Sequence, residues 1–236
     1  MASGVARNAE GVRWDHLFIV DVVAKGSRVL DLGCGKGILL KMLVDQKDVR
    51  GTGIEIVEEK VYEAVAKGLT VYHGDLSEGL TYYRDASFDY VILSQTLQEA
   101  RETMAVLRQA LRVGRFVIVS FPNFGHWRSR LDLLLTGRAP ITGSLPYQWY
   151  DTPNIHFLTI KDFRIFAEEK GINIVRSHYL GERGPVGFWA NMRGAYGVFV
   201  LERKDVPEAS ADHETSSDPA TVAVDTGLSS ELGEVE

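Results

Sequence analysis

The sequence predicts an α/β protein: a three-layer α/β/α sandwich around a mainly parallel, seven-stranded sheet. Three observations favour this fold class. Short apolar runs alternate with segments of helical spacing along residues 14–203, which is typical of βαβ units. The composition, with 45% hydrophobic and 25% charged residues, is that of a folded chain rather than a disordered one. At 236 residues, the chain is long enough to bury a large core.

The strands are predicted from short runs of apolar and β-branched residues that lie between turn signals. In chain order, these runs cover residues 27–32, 51–55, 69–72, 88–93, 115–120, 172–179 and 195–201. Most of them are separated by a segment of helical spacing, which favours parallel pairing through crossover connections. The last two runs are expected to close the sheet.

Helices are predicted where apolar residues recur every three or four positions. Residues 38–43 continue from a glycine-rich loop, and residues 57–67 end at Gly68, a typical helix C-terminal signal. Residues 101–111 have an amphipathic pattern, and helical spacing returns at residues 160–170. These helices are expected to cover both faces of the sheet.

Residues 121–158 interrupt the alternation of strands and helices. Pro122 and several glycines punctuate this stretch, and helical spacing is confined to residues 127–135. Insertions of this length in compact domains usually have a functional role. We therefore predict an irregular cap insertion that contains one helix.

The two ends of the chain differ in composition from the body. Residues 205–236 contain nine acidic residues but no lysine, arginine or aromatic residue, so they cannot bury enough apolar surface to offset their ordering entropy. All 26 lysines and arginines precede them, together with 23 of the 32 acidic residues, which leaves a slightly basic body. The predicted organisation is a flexible N-terminus at 1–13, a folded domain at 14–204 and a disordered acidic tail at 205–236. An acidic interaction tail is the alternative.

Composition argues against several classes of protein. The single cysteine, Cys34, allows neither an intramolecular disulfide nor a cysteine-based zinc site. No stretch is apolar over the roughly 18 residues that a membrane span needs, and the charged N-terminus lacks the apolar core of a signal peptide. We expect a cytoplasmic protein that holds no metal and contacts no membrane.

The strongest chemical signal is the glycine loop that follows the first strand, Asp31-Leu32-Gly33-Cys34-Gly35-Lys36-Gly37. Glycines at such a turn let a ligand lie against bare backbone. A dinucleotide fingerprint, G-x-G-x-x-G, would need its third glycine where Ile38 stands. A phosphate-binding P-loop would need a hydroxyl residue after Lys36, where Gly37 stands. The pattern that remains is D-x-G-x-G-x-G.

This pattern resembles the glycine loop of the Rossmann-like, class I S-adenosylmethionine-dependent methyltransferases, and the resemblance extends over about residues 14–203. It implies that the loop lies under the methionine part of S-adenosylmethionine, and that Asp31 helps to orient the ammonium group. Glu55, at the end of the second strand, matches the acid that binds both ribose hydroxyls. Positions after the third and fourth strands match the adenine site and the cofactor wall. The implied cofactor-binding residues are Asp31, Gly33, Gly35, Gly37, Glu55, Asp75, Leu76, Ser94 and Gln95.

Three longer strings narrow the resemblance to one family. They are LSQTLQ at residues 93–98, VSFPNFGHWR at residues 119–128 and LPYQWYDTPNIH at residues 145–156. These strings resemble the MetW family of bacterial methionine biosynthesis proteins. The resemblance implies a role as partner subunit of homoserine O-acyltransferase, the enzyme that acylates homoserine. The acidic tail at 205–236 departs from the compact family pattern.

The two strings of the insertion also suggest where such a partner binds. They contain the aromatic residues Trp127, Tyr147, Trp149 and Tyr150 next to Arg128. Aromatic residues and arginine dominate the hot spots of protein interfaces. We therefore predict a docking surface at residues 121–128 and 147–156, with the core of the cap as the alternative role for these aromatics.

Three functions remain open at this point. The first is a cofactor-binding partner of the acyltransferase, in which S-adenosylmethionine could act as a feedback signal. The second is a methyltransferase acting on an unknown small molecule. The third is a nucleic-acid methyltransferase that uses the seven arginines of residues 101–138, but this segment contains no base-reading motif. We favour the first function and expect no nucleic-acid partner.

If the chain does catalyse methyl transfer, two histidines of the insertion are the candidate bases. His126 and His156 are chosen because imidazole titrates near neutrality and because the insertion should cap the cofactor. The competing interpretation is structural, since histidines among aromatic residues are commonly hydrogen-bonded core groups. The sequence leaves both interpretations open.

Overall fold

An eight-stranded sheet runs through residues 11–182 and 184–202, the part of the chain that the computed structural model describes. Its spatial order is β3-β2-β1-β4-β5-β8-β6-β7. The strands are β1 Arg28–Leu32, β2 Arg50–Glu55, β3 Thr70–His73, β4 Phe88–Ser94, β5 Gly114–Pro122, β6 Asn173–Gly181, β7 Gly184–Pro185 and β8 Tyr196–Glu202. Strands β1 to β5 pair in parallel, whereas β8 is antiparallel to both β5 and β6. The predicted acidic tail at 205–236 lies outside the described residues.

Helices cover both faces of this sheet. Those of the described residues are α1 Trp14–Val22, α2 Ile38–Lys47, α3 Glu58–Val65, α4 Leu76–Gly79, α5 Thr103–Val113, α6 Trp127–Thr136, α7 Ile160–Glu169 and α8 Ala190–Arg193. Helices α1 and α2 contribute Ile19 and Leu43 to the core on one face. Helices α5 and α7 contribute Leu107 and Phe163 to the core on the other.

The alternation of side chains along each strand divides the core between these two faces. In β4, Val91 and Leu93 join the α5 and α7 side, whereas Ile92 joins the α1 and α2 side. Towards the C-terminal ends of the central strands, the positions that face α1 are polar instead of apolar: Asp31 of β1, Ser94 of β4 and Ser120 of β5. A polar cluster therefore forms at one edge of an otherwise apolar layer.

The three-layer architecture confirms the predicted fold class, with two differences. The sheet has eight strands rather than seven, because Gly184–Pro185 pairs with the end of β6. Helix α1 was not predicted, because its buried residues include the polar side chains of Asp15 and His16 beside Ile19, so the usual amphipathic pattern is missing. Of the predicted flexible N-terminus, residues 1–10 lie outside the described residues, whereas Arg13 forms an ion pair with Asp15.

The insertion at residues 121–158 contains helix α6 and otherwise irregular backbone. Its second half is attached to the loop after β4, because the backbone N–H groups of Ile155 and His156 donate to the Gln98 carbonyl at 2.9 and 3.0 Å. This contact places the insertion over the C-terminal edge of the parallel strands. None of the described helices is long and apolar enough to cross a membrane.

Candidate functional site

The candidate site lies where the chain leaves the central strand of the sheet. Strand β1 sits between β2 and β4, so the order of the strands reverses there and a crevice opens at their carboxyl ends. The glycine loop at 33–37 lies in this crevice. It is attached to the end of β2, because the N–H groups of Gly33 and Cys34 donate to the Ile54 carbonyl at 2.8 and 3.1 Å.

The three glycines of the loop have different surroundings although all adopt positive φ, 71° at Gly33, 55° at Gly35 and 72° at Gly37. A side chain at Gly33 would collide with the Thr96 hydroxyl, whose oxygen lies 2.7 Å from the added carbon. At Gly37 the added carbon would lie 2.4 Å from a Leu69 methyl group. At Gly35 nothing lies within 4 Å. Gly35 is thus the glycine whose bare backbone is open to a ligand.

Two adjoining cavities open beside the loop, with volumes of about 670 and 340 Å³. Arg13, Gly33, Gly35 and Ser94 line both. The larger cavity extends to the insertion, and the smaller one lies between the glycine loop and the start of α1. Eight of the predicted cofactor-binding residues line at least one cavity: Asp31, Gly33, Gly35, Glu55, Asp75, Leu76, Ser94 and Gln95.

Gly37 is the one predicted cofactor-binding residue outside the walls of both cavities. It caps α2, and it does not belong to the wall of either cavity. Its missing side chain instead lets the loop pack against Ala64 of α3 and Leu69. The three glycines occupy equivalent, alternating positions of the motif, so their spacing could not show which of them contacts a ligand and which is needed for packing.

Glu55 presents a fixed carboxylate at the rim of the larger cavity. The residue is 4% exposed, and its two oxygens accept hydrogen bonds from the N–H groups of Gly35 at 2.8 Å and Val57 at 2.9 Å. Lys60 approaches the same group at 4.0 Å. Each carboxylate oxygen can accept a second hydrogen bond. Glu55 can therefore bind two neighbouring hydroxyl groups without changing its own position.

Asp31 lines the smaller cavity and is 2% exposed. Burial raises the pKa of its carboxyl to about 7, and the neighbouring charge of Glu55 adds to this rise, whereas Arg13 opposes it. Arg13 is thus the one neighbouring charge that favours the carboxylate form of Asp31. A cationic group bound in this cavity would stabilise the carboxylate.

This pKa predicts how Asp31→Asn changes stability with pH. The folded-state pKa, about 7, lies above the unfolded value of about 3.9, so ionising Asp31 opposes folding progressively between pH 4 and 7 and fully above pH 7. Removing the charge should raise the thermal midpoint more at pH 8 than at pH 5, as measured by calorimetry. Asp89→Asn is the matched control, because Arg28 lowers the pKa of Asp89 and the sign reverses. A midpoint difference that is equal at both pH values would contradict the assignment.

An ion pair that was not predicted, Arg13–Asp15, lies beside the two cavities, and its Arg13 side lines both of them. The Nε and Nη2 atoms of Arg13 donate to the two oxygens of Asp15 at 3.0 and 2.5 Å. Asp15 is fully buried, and the hydroxyls of Ser94 and Ser120 donate to it at 3.2 and 3.0 Å. The pKa of Asp15 is lowered to about 2, because burial, which raises it, is outweighed by Arg13 and the other donors. Sequence patterns gave no signal for this pair, because Asp15 of α1 is held by Ser94 of β4 and Ser120 of β5, which are distant in sequence.

The two histidines proposed as bases do not line either cavity. His156 makes a hydrogen bond through Nε2 to the Ala100 carbonyl at 3.1 Å, which holds the insertion in place. His126 precedes helix α6, is buried, and has a pKa that burial lowers. The contact of His156 favours the structural interpretation for that residue, whereas the buried Nδ1 of His126 has no hydrogen-bond partner among the described residues. Burial also raises the pKa of the Cys34 thiol, so a nucleophilic role is not supported.

The predicted docking residues are exposed to different degrees. Trp149 and Tyr150 are 74% and 71% exposed, and Trp127 is 43% exposed beneath the guanidinium of Arg128. Helix α6 adds an apolar surface, since Leu134 is 79% exposed and Ser129 is its single buried residue. Sequence reasoning identified the aromatic residues but missed the exposed leucines, because helical spacing does not show whether a helix packs on the body. In the described ranges, no three side chains of His, Cys, Asp or Glu lie together as metal ligands would.

Comparisons with solved structures show the fold. A S-adenosylmethionine-dependent methyltransferase from Mesorhizobium loti superposes with a TM-score of 0.59 at 17% identity, covering 80% of this chain and 97% of that one. The 4+2 cyclase SpnF superposes with a TM-score of 0.61 at 17% identity, covering 86% and 85%. The Rossmann-like methyltransferase fold is thereby confirmed. Because a cyclase shares it, the fold alone does not show methyl transfer.

Sequence comparisons show the family. A model of the family described as methionine biosynthesis protein MetW matches residues 13–201. A bifunctional methionine biosynthesis protein MetXA/MetW from Rhodopirellula baltica is 38% identical over 159 residues, which are 64% of this chain but 26% of that protein. A demethylmenaquinone methyltransferase from Listeria monocytogenes is 27% identical over 183 residues, covering 69% and 76%. The chain belongs to the MetW family of methionine biosynthesis proteins.

Proposed function

We propose that this chain is an S-adenosylmethionine-binding partner subunit of homoserine O-acyltransferase. The observation that carries the proposal is the bifunctional MetXA/MetW relative, in which a segment similar to this chain forms part of the same polypeptide as a MetXA segment. Fusion of two protein segments in one chain holds them at a high effective concentration, which is an advantage for segments that act together. A separate chain needs a docking surface to achieve the same association.

The cavities support S-adenosylmethionine as the ligand. The open backbone at Gly35 and the buried carboxylate of Asp31 fit a ligand that brings a cationic group against the loop. Glu55 is available for the two ribose hydroxyls, and Asp75 with Leu76 lines the larger cavity where the adenine would lie. When bound, this cofactor supplies an activated methyl group and the charge of its sulfonium.

The exposed apolar surface supports a protein partner. We extend the predicted docking surface by two exposed leucines of α6, so that its exposed apolar residues are Trp127, Leu134, Leu135, Trp149 and Tyr150. Large exposed apolar side chains concentrated on one segment of the chain favour an interaction site there. The surface lies on the insertion, which also contributes Tyr147 and Asn154 to the larger cavity. A ligand bound in that cavity can therefore change the conformation of the docking surface, because both contain residues of the insertion.

The role of Glu55 gives a direct test of ligand binding. Glu55→Gln should weaken S-adenosylmethionine binding by about tenfold or more, because a hydrogen bond to a charged group contributes roughly 1.5–3 kcal/mol. Titration calorimetry measures the change. Glu58→Gln is the matched control, because Glu58 is an exposed residue of α3 outside both cavities and should bind as the wild type does. Equal affinity of the Glu55 and Glu58 variants would contradict the ribose site.

An active methyltransferase is the second candidate. It is favoured by the similarity to a demethylmenaquinone methyltransferase and by the size of the larger cavity, which extends beyond the predicted cofactor contacts to Tyr147 and Asn154. Methyl transfer needs positioning rather than a dedicated base, so the absence of His126 and His156 from the wall does not decide the matter. Transfer of labelled methyl groups to a small-molecule extract, lost in Glu55→Gln, would favour this candidate.

A further inference from the structure

The smaller cavity has an acidic and a basic side chain in the same wall. Asp31 and Arg13 both line it, and they are close enough for the charge of Arg13 to lower the pKa of Asp31 against the effect of burial. Surfaces that bind charged ligands are complementary to them in charge. Lys36 also lines this cavity, but its amine is paired with Glu63 at 2.8 Å. The remaining pair, Arg13 and Asp31, is complementary to a zwitterion, such as the α-amino-acid end of a ligand.

Arg13 still has hydrogen-bond donors available for such a ligand. A guanidinium has five N–H groups. Those on Nε and Nη2 are used by Asp15 and by the Ser94 hydroxyl, which accepts at 3.0 Å. The two N–H groups on Nη1 make no hydrogen bond to any of the described residues. Among the described residues, no acceptor competes with a ligand carboxylate for these two donors.

The guanidinium is also held rigidly in place. Its partner Asp15 is itself fixed by Ser94 of β4 and Ser120 of β5. A donor that is already immobilised loses little conformational entropy when a ligand binds. An ion pair that served to anchor α1 alone would not need to line a cavity, yet Arg13 lines both cavities and its side chain is 17% exposed.

We propose that Arg13 binds the carboxylate of the methionyl group of S-adenosylmethionine, opposite Asp31, which faces the ammonium group. This inference rests on the proposed cofactor and adds the residue that recognises its amino-acid end. The recognition is selective. Decarboxylated S-adenosylmethionine has the same adenosine, sulfonium and amine but lacks the group that Arg13 binds.

The test compares the affinities of these two ligands by titration calorimetry. The wild type should bind S-adenosylmethionine about tenfold or more tightly than its decarboxylated form, as expected for charge-assisted hydrogen bonds. In the double variant Arg13→Gln/Asp15→Asn, which removes both charges and leaves no unpaired buried ion, the two affinities should agree within about twofold. Binding of the decarboxylated form should not change.

Arg28→Gln/Asp89→Asn is the matched control, since this ion pair at the opposite end of β1 is remote from both cavities. It should keep the wild-type preference. If the double variant at Arg13 does not fold, Arg13→Lys retains the charge beside Asp15 and should lose most of the preference. An unchanged preference in either Arg13 variant would overturn the inference. Equal wild-type affinities would overturn it while leaving the proposed cofactor intact, whereas no binding of either ligand would overturn both.

Discussion

Gly35→Val should abolish S-adenosylmethionine binding while the protein stays folded. A Cβ added at Gly35 has no atom within 4 Å, and Gly35 lines both cavities, so the valine side chain should occupy space that the ligand needs. The cost to folding is confined to the positive φ of 55°, roughly 1–2 kcal/mol for a residue with a side chain. The thermal midpoint should therefore fall by about 2–8 °C, and calorimetry should detect no binding at concentrations that saturate the wild type.

Gly37→Val separates this effect from simple damage to the loop. Its φ of 72° is comparable, but the added side chain would collide with Leu69 and press on Ala64. Overpacking adds about 1–3 kcal/mol to the strain, so this variant should be clearly less stable than Gly35→Val. Tight binding by folded Gly35→Val would show that the ligand does not lie against this backbone.

Trp149→Ala and Trp127→Ala should each weaken association with the acyltransferase by about thirtyfold, because hot-spot aromatics contribute 2 kcal/mol or more. The effect should appear in co-purification and as a lower rate of homoserine acylation at a fixed concentration of this chain. Affinity for S-adenosylmethionine should stay near the wild-type value, since neither side chain lines a cavity.

Tyr62→Ala is the control for exposed aromatic residues, because Tyr62 is 64% exposed on α3, a different element from the docking surface. It should associate as the wild type does. Folded tryptophan variants that still co-purify and still support acylation would show that the partner binds elsewhere. Leu134→Ala would then test whether α6 alone carries the contact.

The order of strands and helices could be predicted because its signals are local. The apolar runs at 88–93 and 115–120 lie within β4 and β5, and the helices begin and end within a few residues of the predicted positions. Helix α1 escaped prediction because Asp15 is buried by partners on β4 and β5, far away in sequence. The edge strand Gly184–Pro185 is too short to carry a pattern.

The part of the site that could be predicted is the part whose residues belong to a recognisable sequence motif. The D-x-G-x-G-x-G pattern, Glu55 and Asp75 come together around the two cavities because parallel strands end at one edge of the sheet. Gly37 shows the limit of the motif, since packing against Leu69 depends on the three-dimensional fold. Arg13 shows another limit: a lone arginine before the first predicted element carries no pattern, although it lines both cavities.

The most direct test of the proposed function is the initial rate of homoserine acylation by the host acyltransferase, titrated with this chain in the absence and presence of S-adenosylmethionine. We expect the chain to raise the rate saturably, and we expect the cofactor to shift the concentration of chain that gives half of the effect. With the Gly35→Val variant in place of the wild-type chain, the acylation rate should still rise with the concentration of the variant but should not change when the cofactor is added. A rate that is the same with and without the chain, whether or not the cofactor is present, would contradict the partner role.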